Sequence, residues 1–318
     1  FYDYEVDTIV FNGGAGANTA VLTGSERNET VSLWPDHAVL TDGIGGVRVE
    51  INEVTQITAN SGGGEQDLAK LYDSPGRDYF RADPNRAEMR GLGYSLEANG
   101  FAGTVGYSQS PSDVALLYDS PGDDHVLARP LDMTLQGDGF SNRAMDFMYS
   151  RAFASTGNDE AEMYGGDKPT TLDFEPELVR HYSGRSFNNS VYGFSTVTGY
   201  AQSGRGDVAR FYGGPGQDVL EAHPGYASLT SAAGDYAYRA EGFAATRSFA
   251  TPGDGDVARL YGSAEEDVFA AVPETGRMFS IAGSYDHKAS GFAEVTAYSG
   301  GGADWAKMTD SAGSDVYT

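Results

Sequence analysis

Asp67-Leu68-Ala69-Lys70-Leu71-Tyr72-Asp73-Ser74-Pro75-Gly76-Arg77-Asp78 decides how this chain is read, because it comes back. It recurs as Asp113-Val114-Ala115-Leu116-Leu117-Tyr118-Asp119-Ser120-Pro121-Gly122-Asp123-Asp124, and again from Asp207, Asp256 and Asp304. A weaker copy starts at Asp159 and the most divergent at Asn18. The starts at 18, 67, 113, 159, 207, 256 and 304 are 49, 46, 46, 48, 49 and 48 residues apart. A fixed period of about 47 residues marks a tandem array, in which each copy is one supersecondary unit that buries its apolar face against its neighbours. The chain is therefore one array, 1–318, with a partial unit at 1–17 and another at 304–318.

Within the quoted stretch Ala69 and Leu71 alternate with polar residues, as do Ala115/Leu117, Ala209/Phe211 and Ala258/Leu260. A period of two sends both members of each pair to one face of a strand. A Gly/Ser/Pro turn follows, then a second strand with inward pairs Phe80/Ala82, Val126/Ala128, Leu172/Phe174, Leu220/Ala222 and Phe269/Ala271. That strand ends at Pro84, Pro130, Pro176, Pro224 and Pro273, and at Pro35 in the first unit; proline lacks a ladder donor and belongs where pairing stops. Aromatic columns continue the unit at Tyr94, Phe140, Phe187, Tyr236 and Tyr285 and, seven residues on, at Phe101, Phe147, Phe194, Phe243 and Phe292. A last strand carries Tyr107, Phe153, Tyr200, Phe249 and Tyr298, and the pattern leaves open which of its faces is inward. No segment holds a helical period. The expected fold is all-β, a parallel β-helix or β-solenoid, with a seven-bladed β-propeller as the alternative.

Charge narrows the partners. With 21 basic and 46 acidic residues the formal net charge is −25. Nucleic-acid binding runs on Lys and Arg neutralising phosphates, so the charge argues against DNA or RNA as a partner, and an anionic membrane surface is equally disfavoured. No apolar run approaches the roughly 20 residues needed to cross a bilayer. There is no cysteine, hence no disulfide or thiolate metal site. Strong acidity, 43 glycines and 20 tyrosines suit an extracellular or cell-surface protein.

The turn acids carry the chemistry. Asp73 and Asp78 recur as Asp119, Asp123 and Asp124, as Asp218, as Asp267, and as Asp310 and Asp315. Stacked turns would bring like charges together, and calcium takes six to eight oxygen ligands of the kind that acidic, Gly-rich turns supply. These nine aspartates are the candidate calcium residues. The competing expectation is that each one caps its own turn by accepting backbone N–H bonds. The five histidines, His37, His125, His181, His223 and His287, fall at different unit positions without metal-ligand spacing, and no serine sits in a G-x-S-x-G elbow. No catalytic residue is assigned. Lys70, Arg210, Arg259 and Lys307 take the outward place between the inward residues of the first strand, where a solvated face discourages edge pairing.

Two resemblances follow from quoted residues. Gly213-Gly214-Pro215-Gly216-Gln217-Asp218-Val219-Leu220-Glu221 is similar to the G-G-x-G-x-D-x-U-x nonapeptide of RTX calcium β-rolls, with 119–126 and 310–317 as looser versions. The whole unit, with its L-Y-D-S-x-G-D-D turn, resembles the repeats of very long secreted proteins of planctomycete-type bacteria. That likeness implies a surface or matrix array. The expected function is a structural segment of an extracellular fibre, filament or adhesin, stacking head to tail with copies of itself or continuing in a longer parent chain. The alternatives are a polysaccharide lyase or epimerase, since β-helices host both, and a carbohydrate- or calcium-binding module; surface polysaccharide is the expected non-protein partner.

Overall fold

The computed structural model describes residues 7–42, 46–204 and 206–309, and every regular element among them is a β-strand. Two compact units form, residues 1–159 with Phe187–Asn189, and residues 160–186 with 190–318.

In the first unit the repeat from Asp67 opens with strand Leu68–Tyr72 in one sheet. It crosses to a second sheet for three antiparallel strands, Tyr79–Asp83, Arg86–Gly91 and Tyr94–Asn99, and crosses back for Gly103–Tyr107. The repeat from Asp113 does the same with the sheets exchanged. Val114–Tyr118 and Tyr149–Phe153 lie in the second sheet, and the meander His125–Arg129, Asp132–Gly137 and Phe140–Met145 lies in the first. Each repeat thus makes one and a half circuits, and only two repeats restore the starting sheet. The second unit shows the same exchange: the meander of the repeat from Asp207 (Asp218–His223, Tyr226–Ser231, Ala237–Glu241) and that of the repeat from Asp256 (Asp267–Val272, Thr275–Ser280, Asp286–Ser290) lie in different sheets.

Single strands stack in parallel, Gly103–Tyr107 on Leu68–Tyr72 with Tyr107 opposite Tyr72. The other edge of Gly103–Tyr107 pairs with Phe140–Met145, the last strand of the next meander, rather than with its first. The chain therefore leaps ahead by three strands and fills the gap backwards. This is a β-solenoid, with parallel stacking interrupted by antiparallel meanders, and no propeller blades form among the described residues.

The alternation explains the interior. Ala69, Leu71, Ala115, Leu117, Phe80, Ala82, Val126 and Ala128 are fully buried, and the Tyr94/Phe101 aromatic columns line the same interior. Phe269 and Ala271 are only half-buried, near the last described strands. The prolines head two-residue hairpin turns: Asp83 pairs with Arg86 across Pro84-Asn85, and Arg129 with Asp132 across Pro130-Leu131.

The last strand turns its small residues inward. A Cβ on Gly106 would lie 2.5 Å from the Phe80 ring, and one on Gly199 would lie 1.9 Å from Leu172, so the large residue of the second strand occupies the space the small one vacates. The tyrosine of that strand then faces outward and stacks on the tyrosine of the first. Trp34, Tyr72 and Tyr107 stack at 4.8 and 4.7 Å, Tyr164 and Tyr200 at 4.6 Å, and Tyr261 and Tyr298 at 4.8 Å. Stacked pairs of this kind contribute about 0.5–1.5 kcal/mol beyond area burial.

Candidate acidic turn sites

Every turn that leads into a meander packs against the turn one strand layer on, and one hydrogen bond repeats at each pair. The backbone N–H at the head of the meander donates to the carboxylate of the aspartate that opens the following repeat. Glu29 N donates to Asp67 (2.7 Å), Asp78 N to Asp113 (2.8 Å) and Asp124 N to Asp159 (2.9 Å). In the second unit Thr170 N donates to Asp207 (2.6 Å), Asp218 N to Asp256 (2.8 Å) and Asp267 N to Asp304 (3.0 Å). A buried N–H without a partner is costly, so a carboxylate from the next layer both satisfies the donor and fixes the stacking of the turns. The turn acid accepts in its own turn: Ser74 N donates to Asp78 (3.2 Å), Ser120 N to Asp124 (2.8 Å), Gly214 N to Asp218 (2.9 Å), and Ser263 N to Asp267. These are charge-assisted caps, and capping is thus established for Asp78, Asp124, Asp218 and Asp267.

Two turns carry a further acid. Asp73 and Asp119 occupy a position that is glycine at Gly24, Gly165, Gly213 and Gly262. Where the glycine stands, a Cβ would meet the turn acid or its replacement, at 2.8 Å from Asp218 Oδ2 and 3.0 Å from Asp267 Oδ2. Where the aspartate stands, three carboxylates converge: Asp73, Asp78 and Asp113 form one set, and Asp119, Asp124 and Asp159 another. In each, one oxygen from every residue lies within 4.8 Å of the others, a spacing on which a metal ion could be held. All but the half-buried Asp119 are buried. Burial, then a hydrogen bond with Asp113, pushes Asp73 up to about 7, against the lowering bonds from Gln109. Burial, then the charges of Asp119, Asp124 and Asp123, pushes Asp159 up to about 6, against the Asp124 amide. Asp119 is raised chiefly by burial.

Of the nine sequence candidates, Asp73 with Asp78 and Asp119 with Asp124 are brought together. Asp123 lies beside the second set and accepts from Asn158 N at 2.8 Å. Asp218 and Asp267 cap turns without a second turn acid. Asp310 and Asp315 lie outside the described residues. The sequence reading missed Asp113 and Asp159, the third member of each set. The signal was present, because an aspartate opens every repeat from 67 onward, whereas the turn acid itself becomes Thr170 in one copy.

That copy is built differently. Thr170 Oγ1 donates to Asp207 at 2.8 Å and meets His181 Nε2 at 3.0 Å. His181 is fully buried, and burial lowers it to about 4, so the network carries a single carboxylate beside a neutral imidazole. His287 is likewise buried between Thr246 Oγ1 (2.7 Å) and the His223 carbonyl (2.8 Å), and is lowered to about 4. No family profile, curated protein or solved structure matches this chain.

Proposed function

We propose that the chain is a structural repeat segment of the cell exterior that extends by adding copies of its own unit, as a parent polypeptide, a filament or an adhesin shaft. The observation that carries this reading is an open strand edge over an open interior. Among the described residues, Glu294–Tyr298 pairs only with Val257–Tyr261, and Trp305–Met308 only with Asp267–Val272. Between them a hollow of about 620 Å³ is lined by Phe269, Met278, Val295, Ala297, Trp305 and Met308. Trp305 is 69% exposed. At the other extreme of the strand order, among the described residues, Thr8–Asn12 pairs only with Arg48–Asn52 and leaves Ile9, Val10 and Phe11 about half exposed. An unpaired edge that exposes apolar side chains is a template for another strand, even with Glu294 and Lys307 along it, and joining unlike edges gives an open, head-to-tail assembly. The resemblance of the unit to secreted repeat arrays supports the same reading.

Sedimentation and electron microscopy of the purified chain test it. Association should rise with concentration, and Phe11→Lys or Trp305→Lys should abolish it while the circular dichroism spectrum stays β. A wild-type chain that remains monomeric at high concentration would count against head-to-tail joining. Splicing in two further repeats should lengthen the particle by about 24 Å, five strand layers at roughly 4.8 Å each.

A second reading, a calcium-binding module, is favoured by the two three-carboxylate sets. Extracellular calcium modules work at about 10⁻⁴–10⁻³ M, an affinity that a small, partly hydrated acidic site can reach.

A further inference from the structure

The two acid sets carry the same residues in equivalent turns, yet they are satisfied differently. In the first set every carboxylate oxygen accepts a hydrogen bond. Gln109 donates to both oxygens of Asp73, at 2.8 and 3.1 Å. Ser74 N and Tyr94 Oη reach the two oxygens of Asp78, at 3.2 and 2.9 Å. Asp78 N and Ser108 Oγ reach those of Asp113, at 2.8 and 2.7 Å.

In the second set the donors thin out. Phe140 stands where Tyr94 stood and Ala154 where Ser108 stood, so a phenol and a hydroxyl are gone. Neighbouring residues donate to one oxygen of each acid: Ser155 N to Asp119, Ser120 N to Asp124 and Asp124 N to Asp159. Asp124 is 3% exposed, and its Oδ1 is buried without any partner. The charges acting on Asp159 are Asp119, Asp124 and Asp123, all negative. A buried carboxylate oxygen lacking both a donor and a countercharge is expensive to keep, by about 1–3 kcal/mol or more.

Resting on the calcium reading above, we infer that Asp119, Asp124 and Asp159, and not Asp73, Asp78 and Asp113, form the site of a hard divalent cation, with calcium as the natural occupant. An all-oxygen, all-anionic set selects a hard ion, and a turn-built site that has no fixed octahedral frame suits calcium better than magnesium. In the first set every oxygen already has a protein donor with which a cation would have to compete. The division follows from three uncharged side chains, Phe140 in place of Tyr94, Ala154 in place of Ser108 and Ser155 in place of Gln109.

Calorimetric titration of the full chain with calcium chloride, alongside thermal melts with and without EDTA, tests this. One ion should bind per chain and raise the melting temperature. Asp159→Asn should remove the binding heat, and Asp113→Asn should leave it. The double variant Phe140→Tyr/Ala154→Ser keeps every acid and restores the phenol and hydroxyl donors of the first set, though not the Gln109 side-chain amide; it should weaken calcium at least about tenfold and stays informative if Asp159→Asn folds poorly. Heat that vanishes in Asp113→Asn but persists in Asp159→Asn, or an unchanged affinity in the double variant, overturns the assignment and leaves the calcium reading standing. No heat and no melting shift in the wild type at about 10 mM calcium overturns both.

Discussion

The turn pair at Asp124 and Asp159 and the turn pair at Thr170 and Asp207 solve one problem in opposite ways. Both must satisfy a buried N–H at the head of a meander, and both use the opening aspartate of the next repeat, at 2.9 and 2.6 Å. The first pair surrounds that carboxylate with two more acids and Asp123. The second surrounds it with donors: Thr170 N, Thr170 Oγ1 and, at 3.0 Å, Ser203 N all point at Asp207. The same backbone bond is therefore held under repulsion in one place and under attraction in the other. The lesson is that a repeat conserves the geometry of its turn while its electrostatics vary freely from copy to copy.

The largest expected effect separates the two aspartates. Asp207→Ala strands three donors and should cost about 3–5 kcal/mol, by the usual penalty for unsatisfied buried groups bonded to a charge. Asp159→Ala strands one amide and at the same time removes a charge that three neighbouring acids oppose, so it should cost about 1–2 kcal/mol without added calcium. Urea melts of the two variants at neutral pH and in EDTA measure the gap. Equal losses would show that the crowding of acids at Asp159 carries no energetic weight.

The next effect is on pH dependence, and its sign differs between the two places. Asp159 lies near 6 and Asp73 near 7 in the fold, above the ordinary 3.8 of a carboxyl. The folded chain then binds more protons than the unfolded one between those limits, so these sites lose stability as pH rises from about 4 to 7 and regain it on acidification. His181 and His287 lie near 4 against an ordinary 6.5. There the unfolded chain binds more protons, so stability is full above about 6.5 and is lost as pH falls towards 4. Amide exchange, corrected for intrinsic rates, should show the Asp78 and Asp124 amides better protected at pH 5 than at pH 8 and the Thr170 amide better protected at pH 8. A common direction for all three would break the comparison.

A smaller effect concerns the phenol of Tyr94. Tyr94→Phe should cost about 1 kcal/mol by removing the donor to Asp78 Oδ1, and Phe140→Tyr should return a similar amount by supplying Asp124 Oδ1 with the donor it lacks. Melting temperatures of the two single variants, read in EDTA, should move in opposite directions.

Much of this was legible in the sequence and some was not, for identifiable reasons. The period, the inward pairs such as Ala69/Leu71 and the turn acids follow from alternation and recurrence, which are local. The exchange of sheets between successive repeats leaves no local trace, because a meander reads the same whichever sheet receives it. The outward turn of Tyr107 was ambiguous, since its strand offers only Thr104 and Gly106 for the inner face; what settles it is the Phe80 ring filling the space over Gly106. Asp159 escaped as a site residue because its partners sit 35 residues back, across a repeat boundary. The contrast of Phe140 with Tyr94 could be read in sequence only once the hydroxyl of Tyr94 had been placed on Asp78.

The hairpins extend the comparison from electrostatics to backbone, with the smallest expected effect. Pro130-Leu131 and Pro84-Asn85 close equivalent two-residue turns, but Leu131 is held at φ 59° whereas Asn85 is not in the left-handed region. A leucine there is strained, because its Cβ crowds the following carbonyl, and it is partly exposed, so little burial offsets the strain. Asparagine tolerates that conformation without the unfolded-state entropy of glycine. Leu131→Asn should therefore stabilise the fold by about 0.5–1 kcal/mol, and Asn85→Leu should be close to neutral. If Leu131→Asn destabilises instead, the apolar contact of Leu131 outweighs its backbone strain, and variation among the turns would have to be attributed to side-chain packing as well as to charge.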